Sequence, residues 1–314
     1  MGLNMIITLF AGLGLFLYGM HIMSDALQKS AGDRLKKLLE ILTTNRFLGV
    51  LVGAAITGII QSSSATTVMV VGLVNAGIMN LSQAVGVIMG ANIGTTMTAQ
   101  IIAFKFKSIV PYAIIIGALL VLFPKKKSYK HLGELVIGFG ILFMGMNMMS
   151  DAMEPLKDIP EFTQFMIGLE GNPFLGVITG LLLTAVIQSS SATIGILQVL
   201  AMQGLVPIEA ALPILFGDNI GTCVTALIAS IGTSLTARRA ALLHVTIKII
   251  GTIIFMIILG PVTKLVVMIA ADPARQIANA HTFFNIANTL ILLPFSAMLI
   301  SFVTKVIPGE DVYD

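Results

Sequence analysis

The sequence predicts an all-α polytopic membrane protein built from two inverted-topology repeats, with re-entrant helical hairpins and broken helices. Three observations carry that prediction. The chain is cut into regular apolar stretches, its motifs occur twice with one constant offset, and loop charge reverses between the two copies. Of the 314 residues, 56% are hydrophobic and only 11% are charged, against roughly 25% charged in a soluble domain. Apolar stretches recur at 4–24, 47–60, 65–79, 84–104, 109–123, 132–149, 174–187, 192–206, 211–232, 240–260 and 283–304. Several are near the roughly 20 residues that a helix needs to cross a bilayer. The chain starts with Met1 and shows no basic n-region followed by a cleavage site, so no removable signal is expected. Its one cysteine, Cys223, excludes an intrachain disulfide and a Cys-rich metal site. The net charge of +3 is small and its lysines and arginines lie between apolar stretches. That placement argues against a nucleic-acid surface and for a role in setting topology.

Self-comparison shows the duplication. "LFLYGMHIMSDAL" (15–27) aligns with "LFMGMNMMSDAM" (142–153). "NRFLGVLVGAAITGIIQSSSATT" (45–67) aligns with "NPFLGVITGLLLTAVIQSSSATI" (172–194), and "MGANIGTTMTA" (89–99) with "FGDNIGTCVTA" (216–226). Three ordered blocks sharing one offset of 126 to 127 residues are a duplication. The expected division is repeat 1 over 1–127, repeat 2 over 128–260, and a C-terminal helix and tail over 261–314.

Charge orients the copies. The loop 29–46 holds Lys29, Arg34, Lys36, Lys37 and Arg46 against Asp33 and Glu40. Its counterpart, 154–172, holds Glu154, Asp158, Glu161 and Glu170 against Lys157 alone. Basic loops stay cytoplasmic, so equivalent loops fall on opposite faces, as in the inverted repeats of secondary transporters. "KKKSYK" (125–130) and Arg238–Arg239 agree by falling inside, while Lys105 and Lys107 fall outside against the trend. The N-terminus is expected outside and the C-terminus in the cytoplasm, in a bacterial inner membrane.

Length places the polar motifs. Residues 47–60 and 65–79 are each too short for a roughly 30 Å crossing and together too long for one pass. The same holds for 174–187 and 192–206. Two hairpins, 47–79 and 174–206, folding back at QSSS fit these lengths; a single tilted, broken helix is the alternative. Non-helical backbone at membrane depth survives only where protein or a cavity surrounds it.

The tips carry chemistry. Hydroxyls capping a half-helix, together with its unpaired first-turn N–H groups and the helix dipole, make an anion site. Ser62, Ser63, Ser64, Ser189, Ser190 and Ser191 are therefore expected around one tetrahedral oxyanion. Gln61 and Gln188 offer amide oxygens suited to Na⁺, and each NIGT (92–95 and 219–222) adds Asn92, Thr95, Asn219 and Thr222 with a glycine able to break the helix. Thr66, Thr193 and Asp218 complete the expected sodium-binding set. Asp218 stands where the first repeat has Ala91, and either holds a cation or pairs with Lys248. His244, Lys248 and His281 lie within or beside apolar stretches, where ionisable groups mark function by default, although a histidine is also often a satisfied bundle residue. Asp25 and Asp151 read as solvated helix ends. The bland reading of every Ser, Thr and Asn here is interhelical glue; two repeat-matched QSSS tips speak against it.

Paired QSSS segments in inverted repeats, each followed by NIGT, resemble the type II sodium-phosphate cotransporters and their bacterial relatives. "RRAALLHVTIK" (238–248) and "AHTFFNIANTL" (280–290) are similar to that family's later helices. The resemblance implies Na⁺-driven phosphate uptake, with the QSSS residues of both halves central and the NIGT residues flanking. Bacterial members often continue into a PhoU-like helical domain, whereas this chain ends at "KVIPGEDVYD" (305–314). The resulting expectation is a non-enzymatic Na⁺/phosphate symporter working by alternating access. Na⁺ serves as coupling ion without other cofactor, and a homodimer is compatible. Rival readings are a carrier of another anion, such as a dicarboxylate or sulfate, and an intramembrane serine hydrolase using His244 or His281. No G-x-S-x-G elbow supports the hydrolase.

Overall fold

The computed structural model describes residues 3–31, 45–104, 108–124 and 126–309. Asp33, Arg34, Lys36, Lys37, Glu40, Lys105, Lys107, Lys125 and the tail from 310 onward, all used in the sequence reading, lie outside them.

Every described element is helical. The first half contains α1 (Leu3–Ala31), α2 (Arg46–Ile60), α3 (Ser63–Asn75), α4 (Leu81–Gly94), α5 (Thr96–Ile102) and α6 (Val110–Leu122). The second contains α7 (Lys127–Met153), a 3-10 turn (Glu154–Asp158), α8 (Pro160–Gly171), α9 (Pro173–Ile187), α10 (Ser190–Met202), α11 (Ile208–Gly221), α12 (Val224–Ala229) and α13 (Leu235–Ile257). After it come α14 (Leu259–Ile269), α15 (Pro273–Leu292) and α16 (Ser296–Val306). Among the described residues, five helices are long and apolar enough to cross a membrane, or seven when each bent pair counts as one span. The chain is an integral membrane protein.

The two QSSS segments are hairpins. Nine residues separate Thr57 from Thr66, about 13.5 Å along a continuous helix. Their hydroxyls nevertheless meet at 2.9 Å, so the chain reverses between them. Thr184 and Thr193 do the same at 2.9 Å. Each hairpin also returns to its starting level. Gly86, Gly90 and Gly94 of α4 lie against Arg46, Val50 and Ala54 of α2, so these helices run parallel and begin side by side. The returning arm α3 must therefore descend between them, which makes the segment re-entrant and removes the single tilted helix.

Equivalent helices of the two halves run in opposite directions. Along α1, Gly12 faces Gly145, Gly19 faces Gly138, and Lys29 pairs with Glu134 at 3.4 Å. Numbers rise on one helix while they fall on the other. Because α1 and α7 are the first helices of their repeats, the halves are inverted. Small residues allow the backbones to approach this closely. The scaffold repeats in detail: a Cβ on Gly53 would run into the Val87 carbonyl, and one on Gly180 into the Ile214 carbonyl. Both pairs are the same contact one repeat apart.

One expectation is met in slight form and two need correction. At each NIGT the helix is interrupted, α4 ending at Gly94 before α5 starts at Thr96 and α11 ending at Gly221 before α12 starts at Val224, but the interruption is slight. Thr95 keeps helical angles (φ −65°, ψ −21°) and donates its N–H to the Ala91 carbonyl at 3.1 Å. The 22-residue runs Leu81–Ile102 and Ile208–Ala229 are continuous spans with a hitch. The NIGT glycines also serve packing: Gly94 sits on Ala54 and Thr57, Gly221 on Leu181 and Thr184. Secondly, the acidic loop 154–172 is mostly the 3-10 turn and α8, whose Phe162, Met166 and Leu169 recur at helical spacing against the protein. Finally, the C-terminal region holds three helices rather than one. Asp272 caps α15, Pro273 starts it, and the chain bends by 85° between α15 and α16, where Pro294 cannot continue a helix.

Candidate functional site

Each tip is built the same way. Gln61 (φ 58°) and Gln188 (φ 56°) take the left-handed conformation, the only non-glycine residues among those described to do so. That geometry is costly for a residue with a Cβ and recurs at functional sites. It closes one half-helix and turns the chain into the next. Gln61 N–H donates to the Thr57 carbonyl and Gln188 N–H to the Thr184 carbonyl, both at 2.7 Å. Ser62 and Ser189 then cap the return helices, their Oγ atoms accepting from Ala65 N–H (3.1 Å) and Ala192 N–H (3.2 Å). The N–H groups of Ser63, Ser64, Ser190 and Ser191 fall in first turns, where no intrahelical acceptor exists. Four backbone donors, serine hydroxyls and the positive ends of α3 and α10 are thus available to an anion.

Both tips line one cavity of about 220 Å³, with Gln61–Ser64 on one side and Gln188–Ser191 on the other. Helix α1 supplies the remaining wall through Leu17, Met20, His21 and Ser24, alongside Ile60. Ser24 Oγ donates to the Ile60 carbonyl at 2.6 Å, tying α1 to the first tip, and Gln28 Nε2 donates to Ser24 Oγ at 2.9 Å. Among the described residues, His21 is the only ionisable side chain on this lining. A small polar chamber with many neutral donors and almost no fixed charge suits a compact oxyanion that arrives with its own counter-ions.

Comparison with known proteins decides the family. The sequence model of the Na+/Pi-cotransporter family matches twice in tandem, over residues 15–151 and 152–302. The chain belongs to the Na+/Pi-cotransporter family. It is 31% identical over 295 residues to the protein YqeW of Bacillus subtilis (strain 168), covering 94% of this chain and 96% of that one. It is 25% identical over 309 residues to the "Putative inorganic phosphate export protein YjbB" of Salmonella typhimurium, covering 98% of this chain but 57% of the relative. The "Sodium-dependent phosphate transport protein 2A" of Oryctolagus cuniculus matches at 31% over 183 residues, 53% of this chain and 28% of that one. No solved structure matches.

In this cotransporter-family chain the six expected serines and both glutamines come together at the cavity. The other expected residues stand behind the tips. Thr66 and Thr193 brace the hairpins: Thr66 Oγ1 donates to the Ser62 carbonyl at 3.1 Å and Thr193 Oγ1 to the Ser189 carbonyl at 3.3 Å. Gln61 is held firmly. Its Nε2 donates to the Gly58 carbonyl, and its Oε1 accepts from Thr98 Oγ1 of α5 at 2.9 Å. Gln188 is exposed and has no such anchor among the described residues. Asn92, Thr95, Asp218, Asn219 and Thr222 are buried and do not line the cavity. Asp218 Oδ1 accepts from Thr184 Oγ1 at 2.7 Å, which couples α11 to the second hairpin.

A second polar cluster surrounds Lys248 of α13. Its Nζ donates to Asn219 Oδ1 at 2.6 Å and to Asn285 Oδ1 at 2.8 Å. Asp218 forms no ion pair with it among the described residues, so the expected Asp218–Lys248 pairing is replaced by bonds to neutral carboxamides. His244 and His281 are buried beside this cluster in sequence, one helical turn before Lys248 and Asn285 respectively. Neither lines the serine cavity, so the hydrolase reading loses the histidine partners it named. Sequence reasoning missed His21 and Ser24. The signal for His21 was present: an ionisable residue inside the apolar stretch 4–24.

Proposed function

We propose that this protein is a secondary active transporter that couples Na⁺ movement to inorganic phosphate movement in symport by alternating access. The observation that carries the reading is the single cavity shared by two serine-capped, oppositely oriented half-helix tips. Phosphate oxygens accept from the first-turn N–H groups and hydroxyls of Ser62, Ser63, Ser64, Ser189, Ser190 and Ser191. Burying an anion is expensive unless it is paired and hydrogen-bonded, and no Lys or Arg among the described residues lines the cavity. Na⁺ therefore supplies the compensating charge, which links the two fluxes. Carboxamide, hydroxyl and carbonyl oxygens around Gln61, Gln188, Thr66, Thr193, Asn92, Thr95 and the corresponding second-half residues are its ligand pool. Inversion of the halves gives two related arrangements of one scaffold, the basis for exposing the cavity to each side in turn. The setting of this reading is a bacterial plasma membrane, with the N-terminus outside and the C-terminus in the cytoplasm.

The name of the Salmonella relative speaks of phosphate export, and this makes direction the second question. Both are answered by purified protein in proteoliposomes. Radiolabelled phosphate should accumulate when an inward Na⁺ gradient is imposed and should leave loaded vesicles when the gradient is reversed. Phosphate flux indifferent to Na⁺ would refute the coupling. Sulfate or a dicarboxylate outcompeting phosphate at equal concentration would change the cargo.

A further inference from the structure

The two halves treat their matched NIGT asparagines differently. Asn92 is 2% exposed, and its carboxamide oxygen accepts no hydrogen bond among the described residues. Asn219 is 1% exposed, and its oxygen takes the Lys248 ammonium at 2.6 Å. Lys248 is itself 1% exposed, bridges to Asn285 at 2.8 Å and stands 5.8 Å from the Phe284 ring centre. Among the described residues no carboxylate lies within ion-pair distance of it, and Asp218 acts on it only at longer range.

An ammonium at this depth is costly, and two neutral carboxamides repay only part of its desolvation. A packing role would be served better by an apolar side chain of the same length. What distinguishes lysine is a compact monovalent charge with several donors, the closest side-chain counterpart of an alkali cation. The sequence supports a replacement of this kind. "HVTIKIIGT" (244–252) aligns with "HTFFNIANT" (281–289), matching His244 with His281 and Thr252 with Thr289. Lys248 stands where the twin segment has Asn285. A cation thus occupies a place that its counterpart gives to an oxygen ligand.

Resting on the Na⁺-coupled reading above, we propose that Lys248 is a built-in cation: its ammonium fills in the second half the place that Asn92 keeps open for one mobile Na⁺ in the first. The fixed charge stays with the protein and stands in for one Na⁺ in every cycle, so one fewer Na⁺ travels per phosphate. Asn219 then leaves the sodium ligand pool and serves the lysine, and the halves have unequal roles in coupling.

The test is the Na⁺-to-phosphate ratio of the reconstituted full chain, read from the Na⁺ gradient that just balances a set phosphate gradient. Lys248→Asn should raise that ratio by one, with steeper Na⁺ activation, while Lys248→Arg should keep the wild-type ratio. Na⁺-driven flux with an unchanged ratio in Lys248→Asn overturns the built-in cation and leaves coupling intact. Wild-type flux indifferent to Na⁺ overturns both. Should Lys248→Asn fail to fold, two alanine variants decide. Asn92→Ala should raise half-activation by Na⁺ about ten-fold or more, as for loss of a contact to a charged group. Asn219→Ala should move phosphate half-saturation more than Na⁺ activation; an Na⁺ shift equal to that of Asn92→Ala overturns the proposal.

Discussion

The first and second hairpins share a backbone and differ in what surrounds it. In both, a left-handed glutamine ends one arm, a serine caps the next, and two threonine hydroxyls clasp the arms at 2.9 Å. Behind the first clasp stands Ala91; behind the second stands Asp218, bonded to Thr184 at 2.7 Å. Gln61 is fixed by Thr98, whereas Gln188 is exposed and unanchored. Asn92 keeps a bare oxygen, and Asn219 holds an ammonium. Steric requirements at the helix contacts have been kept in both copies while the electrostatics diverged. Geometry is the shared part of the design and charge is the divided part.

The largest effect tests the shared part. Gly53→Leu and Gly180→Leu each drive a side chain into a neighbouring backbone carbonyl, at a cost of about 3 kcal/mol or more. Against a net stability of roughly 5–15 kcal/mol, both should sharply reduce monodisperse protein in detergent and lower its thermal midpoint. Ready tolerance of one of them would break the structural equivalence of the halves.

A smaller effect probes the clasps. Thr57→Val removes a neutral hydrogen bond, for a loss of about 0.5–1.5 kcal/mol. Thr184→Val also strands a buried acceptor on Asp218, which adds about 1–3 kcal/mol. Thermal midpoints should therefore fall further for Thr184→Val. Equal falls would mean that Asp218 finds another donor and that the asymmetry has no energetic weight.

The smallest effect lies at the turns. Gln188→Gly relieves a left-handed residue that has no anchoring bond, and should gain up to about 1 kcal/mol. Gln61→Gly gains the same relief but gives up two side-chain bonds, to Gly58 and from Thr98, worth about 1 kcal/mol each, and should be mildly destabilising. A reversed order would show that Gln188 is held by something other than its backbone.

Much of this was legible in the sequence because it follows from length and periodicity. Half-helices of 15 and 13 residues are too short to cross, and the repeat offset set the equivalences before any coordinates. How slight the NIGT interruptions are is not legible, because a glycine's two uses, turning the chain and admitting a neighbour, look identical in sequence; Gly94 does the second. The C-terminal region was read as one helix because apolar content hides a bend that Pro294 enforces. Asp218 and Asn219 are adjacent, so they point about 100° apart on α11, and only the placement of α13 decides which one meets Lys248. His21 was overlooked because its stretch reads as an ordinary span.

The most direct test of the central claim, that two opposed tips make one phosphate site, is a double-mutant cycle on phosphate half-saturation in Na⁺-driven uptake. Ser63→Ala and Ser190→Ala should each weaken phosphate by about ten-fold or more, as for hydrogen bonds to a charged group. The double variant should depart from the sum of the two, as groups sharing one ligand do. Full activity after loss of either serine, or strictly independent effects, would contradict a shared site.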